Sequence, residues 1–150
     1  MKLAEALIRR RDIQNRIQEL RERLAKNALV QEGEAPAEDP KELLKELDIL
    51  AKQLEELIAR INLTNANIKN DGVSITEMLA RRECLSLKIS LMQSFLSNAS
   101  STVMRGSRNE VKIYSSVDVR VLRKEVDELS QELRQLDTSI QALNWTIDLE

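Results

Sequence analysis

The chain has 150 residues, of which 42% are hydrophobic and only 2% aromatic, a composition that suits a single helical-bundle domain over residues 1–150. Lys and Arg number 23 against 25 Asp and Glu, so no overall charge draws the protein to nucleic acid or to an anionic membrane. Histidine is absent, which excludes a Ser-His-Asp triad, a histidine base and a histidine-bearing metal site. We therefore expect neither enzyme activity nor a metal or cofactor.

The N-terminal segment repeats apolar residues at three- and four-residue steps, which predicts an amphipathic helix. Arg10 occupies a step at which an apolar residue is expected. No segment approaches the ~20 apolar residues of a membrane span. The single cysteine, Cys84, cannot form an internal disulfide, in agreement with a reducing compartment. These features predict a cytoplasmic protein without a membrane partner.

A loop and a tight turn divide the first half of the chain. Both prolines fall in the segment EGEAPAEDP, which predicts a loop before a second helix that starts at Lys41. This helix carries two adjacent apolar stripes, a pattern that predicts contact with more than one neighbour. The segment 70–72, Asn-Asp-Gly, predicts a turn, and Ser74 with Glu77 makes a capping-box pattern that starts a third helix.

The third and the last helix follow heptad-like spacing. In the third, Arg82 stands at a position that should be apolar, while Leu87, Leu91 and Phe95 widen the apolar face. Asp118 is placed to cap the last helix, whose apolar residues keep the spacing without interruption.

Between these two helices, residues 110–114 alternate with period two, which predicts a short β-strand. Val111, Ile113 and Tyr114 are the candidates for pairing. Their partner strand could come from the same chain or from another subunit.

Four helices of similar length predict an all-α fold, a long antiparallel bundle or coiled coil with this short β segment. Simple up-and-down packing would gather polar side chains at one end. The candidate members of this polar cluster are Arg10, Asn62, Asn65, Arg82, Asp137, Asn144 and Trp145. The arginines could bind an anion, or one could pair with Asp137. Alternatively, they extend to the surface or form a polar layer that fixes helix register.

The leading hypothesis for function is a non-enzymatic helical interaction protein that forms a homo-oligomer, because double-striped helices and an unpaired strand leave surface to cover. An alternative is an RNA-binding helical arm, since the first helix has a local excess of arginine and lysine. No aromatic residues for base stacking interleave these cations, so we do not expect nucleic acid to be the partner.

A resemblance to a known family adds one more alternative. The segments that carry it are MKLAEALIRRRDIQNRIQELRERL, VQEGEAPAEDP, LIARINLTN, VDV and LDTSIQALNW, which are spread over nearly the whole chain. They resemble a functionally uncharacterised bacterial helical family whose members are sometimes labelled septicolysin. The resemblance implies a helical bacterial protein and assigns no catalytic residues. The label implies a membrane-active cytolysin, in which an amphipathic helix turns its apolar face toward lipid.

Overall fold

The computed structural model describes residues 1–101 and 112–150. Its elements are α1 (Leu3–Lys26), α2 (Pro40–Asn67), β1 (Lys69–Asn70), β2 (Val73–Ser74), α3 (Ile75–Ser100) and α4 (Val119–Thr146). The predicted all-α fold is confirmed. The chain forms two compact units. The first comprises Met1–Ser74 with Ala142–Glu150, and the second comprises Ile75–Gln141.

Aspartate side chains start two of the helices. The Asp39 carboxylate accepts a hydrogen bond of 3.0 Å from the N–H of Lys41. Pro40 occupies the first helical position, where proline is tolerated because an N–H there would make no hydrogen bond within the helix. The carboxylate of Asp118 accepts one of 3.0 Å from the N–H of Arg120, so this residue caps α4 as the sequence predicts. Both helices therefore begin within one residue of their predicted starts.

The first unit is built on an antiparallel pair, α1 and α2. Arg16 of α1 contacts Glu46 of α2 at 3.2 Å, and Arg23, two turns further along α1, contacts Glu38 just before α2 at 2.5 Å. The contacts move forward along α1 and backward toward the start of α2, so the two helices run in opposite directions. The buried apolar side chains of this unit are Leu3, Ala4, Ala6, Ile13, Leu20, Leu43, Leu50, Leu57, Ile61 and Leu149.

The C-terminal residues close the first unit against its N-terminus. The N–H of Leu3 donates to the carbonyl of Ile147, and the N–H of Leu149 donates to the carbonyl of Met1, both at 2.9 Å. The two segments therefore pair as extended backbones, and the Leu149 side chain is buried. This contact joins residues at opposite ends of the sequence, and no periodic pattern predicts it.

A two-residue turn connects α2 to α3. Asp71 and Gly72 both have positive φ, at 51° and 82°, the conformation of a type I′ hairpin turn. The flanking residues pair as β1 and β2, with Asn70 opposite Val73. Asn-Asp-Gly predicts the turn, and the structure adds this small antiparallel ladder around it.

The strand predicted at 110–114 is not found where the structure can be described. Residues 112–115 have no regular secondary structure, and positions 110 and 111, the latter Val111, lie outside the described residues. A period-two pattern describes one strand only, whereas its main-chain N–H and C=O groups need a second strand to pair with. Over 112–114 the structure therefore corrects the prediction.

The second unit is held together by an apolar cluster between α3 and α4. Leu85 and Ile89 of α3 are buried with Val126 of α4. Met92, Leu129 and Leu133 pack around them. These side chains come from one face of each helix, so α3 packs against α4 through a single face.

Candidate interaction surface

The predicted polar cluster is divided between the two units. Arg10, Asn62, Asn65, Asn144 and Trp145 belong to the first unit, and Arg82 and Asp137 belong to the second. Asn144 is buried, whereas Trp145 is largely exposed. Among the described residues, no hydrogen bond or ion pair joins any two of the five members in the first unit. Whether the seven form one functional cluster stays a prediction.

Arg10 buries part of its guanidinium on α1. Its Nε atom is buried and has no hydrogen-bond acceptor among the described residues, while the residue as a whole remains partly exposed. This combination is typical of a long side chain that lies over apolar neighbours and keeps its charged end accessible to solvent. One such nitrogen does not amount to an anion site.

Arg82 and Asp137 do pair, across α3 and α4. Arg82 Nη1 lies 3.4 Å from Asp137 Oδ1, and both side chains remain substantially exposed. The two residues line an open groove of about 800 Å³ whose apolar lining includes Leu79 and Leu133. An ion pair this long and this exposed contributes ~0–1 kcal/mol, so it orients the two helices only weakly.

Residues 1–101 and 112–150 contain neither a metal-binding cluster of side chains nor a membrane-spanning helix. No three or more Cys, Asp or Glu side chains in this part of the chain come together as a metal-binding group. Its helices also include none with a stretch both long and apolar enough to span a membrane. Cys84, which is exposed, has no disulfide partner there.

The outstanding feature of α3 is an apolar face opposite its packed face. At about 100° per residue, this face lies about 140° around the helix axis from the buried side chains Met78, Leu85 and Ile89. We call it the outer stripe. Its members, all exposed, are Ala80, Cys84, Leu87, Leu91 and Phe95.

Three large side chains dominate the outer stripe. Leu87 is 62% exposed, Leu91 64% and Phe95 48%, and they occupy successive turns of one helix. A surface helix normally has one apolar face against the core and one polar face toward water. Because α3 is apolar on two opposite faces, the outer stripe is a surface that another molecule could cover.

Two of the three residues predicted to mediate oligomer contacts lie beside the outer stripe. Ile113 and Tyr114 are exposed, and together with Phe95 they line a depression of about 270 Å³. The third, Val111, lies outside the described residues. Ile113 and Tyr114 therefore extend the exposed apolar surface beyond Phe95 without forming a strand.

Comparison with known proteins identifies the family. The model of a family described as "Family of unknown function (DUF6847)" matches residues 10–149. The chain belongs to this family. A solved structure, described as that of a functionally unknown conserved protein from Corynebacterium diphtheriae, is similar over 100% of this chain and 99% of its own, with 40% sequence identity and a TM-score of 0.91.

These matches support the helical fold across the chain, and they name no activity. The family and the solved structure are both described as functionally unknown. A comparison with curated proteins finds no significant match. The resemblance to proteins labelled septicolysin therefore receives no support from these comparisons.

Proposed function

We propose that this chain is a non-enzymatic helical interaction protein that associates with a second copy of itself through the outer stripe. The observation that carries the proposal is the exposure of Leu87, Leu91 and Phe95 on the face of α3 opposite its packed face. Large apolar side chains that line one continuous surface mark interaction sites more often than single exposed ones do.

A second copy suits this surface because a two-fold pair covers the same patch on both partners. Burying a leucine or phenylalanine side chain completely contributes ~1.5–3 kcal/mol, and a symmetric contact buries the exposed part of each side chain twice. The loss of translational and rotational freedom offsets much of this gain, so a dissociation constant in the micromolar range is expected. Such a protein would act by assembling and by presenting its remaining surfaces to partners.

The experiment is size-exclusion chromatography with multi-angle light scattering on the wild type and two variants. Leu91→Glu places a charge in the middle of the outer stripe and should convert the dimer to a monomer. Ile49→Glu is the matched control, because Ile49 is a large apolar residue of α2 that is 57% exposed and lies outside the outer stripe. This control should keep the wild-type mass. If the wild type is a monomer at every concentration, or if both variants dissociate alike, the proposal fails.

The RNA-binding alternative rests on unpaired cations of α1. Among the described residues, Arg9, Arg11, Arg21 and Lys26 form no ion pair. At about 100° per residue, these four side chains spread over more than half of the helix circumference, and Arg9 points away from the other three. A groove or row of phosphates is better matched by cations on one face. Fluorescence anisotropy with labelled RNA at low salt tests this alternative, and salt-sensitive binding would support it.

The cytolysin alternative uses the same outer stripe, which would then face lipid. Interfacial helices combine a wide apolar face with a polar face rich in lysine and arginine. In α3 the charges are mixed, with Glu83 and Lys88 flanking the stripe on opposite sides. Release of dye from anionic liposomes by the wild type, and its loss in Leu91→Glu, would favour this alternative over self-association.

A further inference from the structure

We infer that two copies of α3 pair in parallel, so that each residue of the outer stripe faces its own equivalent across a two-fold axis. This inference rests on the proposed self-association and adds to it the orientation and register of the partner. Three features of α3 carry it: the heptad spacing of the stripe, the charges beside it, and an asparagine that follows the stripe in the same register.

The outer stripe follows the spacing of a coiled-coil seam. With Cys84 and Leu91 at a positions, Ala80 and Leu87 fall at d positions, which is the alternating four- and three-residue step of a heptad. Continuing the register places Ser94 at the next d position, Phe95 at e on the edge of the seam, and Asn98 at the next a position. The pattern runs for about two heptads and is exposed throughout.

Charges flank this seam on its two sides. Glu83 occupies a g position and Lys88 an e position, and both are exposed. Among the described residues, neither side chain forms an ion pair or a hydrogen bond. The two lie on opposite sides of the outer stripe, so they do not face each other within one helix. In a parallel pair, the g residue of one helix faces the e residue that follows five positions later on the other. Glu83 therefore meets Lys88 of the second copy, and symmetry makes this contact twice.

The antiparallel arrangement brings like charges together. There, e positions face e positions across the seam. Two antiparallel registers align the apolar residues. In one of them Lys88 lies opposite Lys88 of the second copy, and in the other it lies opposite Arg81 of the second copy. Like charges at such positions disfavour pairing.

Asn98 favours the same orientation and register. In parallel dimers, a single asparagine at an a position specifies register and subunit number, because the two amides can hydrogen-bond across the axis only when they face each other. The Asn98 side chain is exposed and forms no hydrogen bond among the described residues. Slipping the register by one heptad would set it against an apolar residue.

A charge-swap series distinguishes the two orientations. We expect Glu83→Lys and Lys88→Glu each to raise the dimer dissociation constant roughly tenfold, since each replaces two attractive contacts by two repulsive ones. The double variant Glu83→Lys/Lys88→Glu should restore the wild-type constant. In the antiparallel registers, Lys88→Glu would strengthen the dimer or leave it unchanged, and the double variant would bring no rescue. Sedimentation equilibrium at low ionic strength measures all four constants.

Cys84 reports the register independently. In the parallel pair, Cys84 faces Cys84 of the second copy, so diamide should join the two chains. The two thiols lose two protons and two electrons to diamide as one S–S bond forms. A disulfide needs Cα atoms closer than about 7 Å, so a stable antiparallel dimer would not cross-link at this position. Cys84→Ser is the control for the chemistry, and its covalent dimer should be absent after diamide treatment.

The outcomes separate this inference from the proposed function. A wild type that sediments as a monomer overturns both. A wild type that dimerises and loses its dimer with Leu91→Glu, but shows neither charge-swap rescue nor a Cys84 cross-link, keeps the proposed function and overturns the parallel pairing. Rescue together with cross-linking supports both.

Discussion

Thr64 accepts a hydrogen bond of 3.0 Å from the main-chain N–H of Glu150, 86 positions away in the sequence. The Thr64 hydroxyl donates its own proton to the carbonyl of Arg60 at 2.9 Å, and the residue is completely buried. Asn67 also holds Glu150, through a bond of 2.8 Å from its Nδ2 to the carboxylate. The C-terminal segment is thus fixed to the end of α2 as well as to the N-terminus.

Replacing this threonine should loosen the first unit. We expect Thr64→Val, which keeps the shape and removes the hydroxyl, to lower the free energy of unfolding by about 1–3 kcal/mol, because the N–H of Glu150 loses its acceptor. Thr138→Val is the control. Thr138 makes the same bond to the carbonyl four residues earlier, but it is exposed and holds no second segment. Urea denaturation measures both, and equal losses would contradict the structural role assigned to Thr64.

The two faces of α3 should respond differently to truncation. Ile89 is buried against α4, so Ile89→Ala should lower the free energy of unfolding by about 2–4 kcal/mol. Leu91→Ala removes an exposed side chain and should change the stability of the monomer by less than about 0.5 kcal/mol. Thermal unfolding of dilute samples, in which the monomer predominates, makes the comparison. A large loss for Leu91→Ala there would show that the outer stripe is packed within the chain.

The Arg23–Glu38 pair predicts an acid-dependent contribution to stability. Arg23 lowers the pKa of Glu38, first through its hydrogen bonds to the carboxylate and then through its charge, against the opposing effect of burial. A carboxyl with a lowered pKa stabilises the folded state above its ordinary pKa, near 4.3, and loses that contribution as pH falls through the lowered value. Wild type should therefore exceed Glu38→Gln in unfolding free energy at neutral pH, and the two should converge as pH falls through the lowered pKa of Glu38.

A control for this pair is available on α2. Glu42 contacts Lys45 at 2.6 Å, but both side chains are about two-thirds exposed. Glu42→Gln should change the neutral-pH stability less than Glu38→Gln does, since exposed pairs of neighbouring helix residues contribute little. Raising the salt concentration should reduce the Glu38→Gln difference at neutral pH. A Glu38→Gln difference that persisted unchanged in acid would show that charge is not its source.

The Arg82–Asp137 pair should matter little for stability. The 3.4 Å contact joins two partly exposed groups, so Arg82→Met should change the free energy of unfolding by less than about 1 kcal/mol. Methionine keeps much of the length of the side chain over Leu79 and Leu133. Chemical denaturation tests this prediction. A loss above about 2 kcal/mol would mean that the arginine fixes the packing of α3 on α4.

Local signals in the sequence predict where most of the described helices begin. Asp39 with Pro40 and Asp118 carry this information in their own side chains, which bond to the first N–H groups of α2 and α4. The turn at Asp71 and Gly72 is predicted in the same way, because these residue types tolerate positive φ. The pairing of Arg82 with Asp137 follows from placing two helices side by side, as the sequence analysis considered.

Contacts between distant segments are what sequence reasoning missed. The pairing of Met1 and Leu3 with residues 147–149 uses main-chain groups, which every residue possesses, so no residue type marks it. Nothing in the sequence distinguishes Arg23 and Glu38 from other charged residues, because the packing of α1 against α2 sets the distance between them. The outer stripe was visible as a widened apolar face on the third helix. Its exposure depends on where the other helices lie, which periodicity does not determine.

Self-association through the outer stripe is tested most directly by sedimentation equilibrium of the wild-type chain over a wide micromolar range. We expect a reversible monomer–dimer equilibrium in the wild type, the same equilibrium in Ile49→Glu, and a monomer alone in Leu91→Glu. A wild-type chain that stays at its monomer mass of 17.2 kDa at the highest concentration would contradict the account.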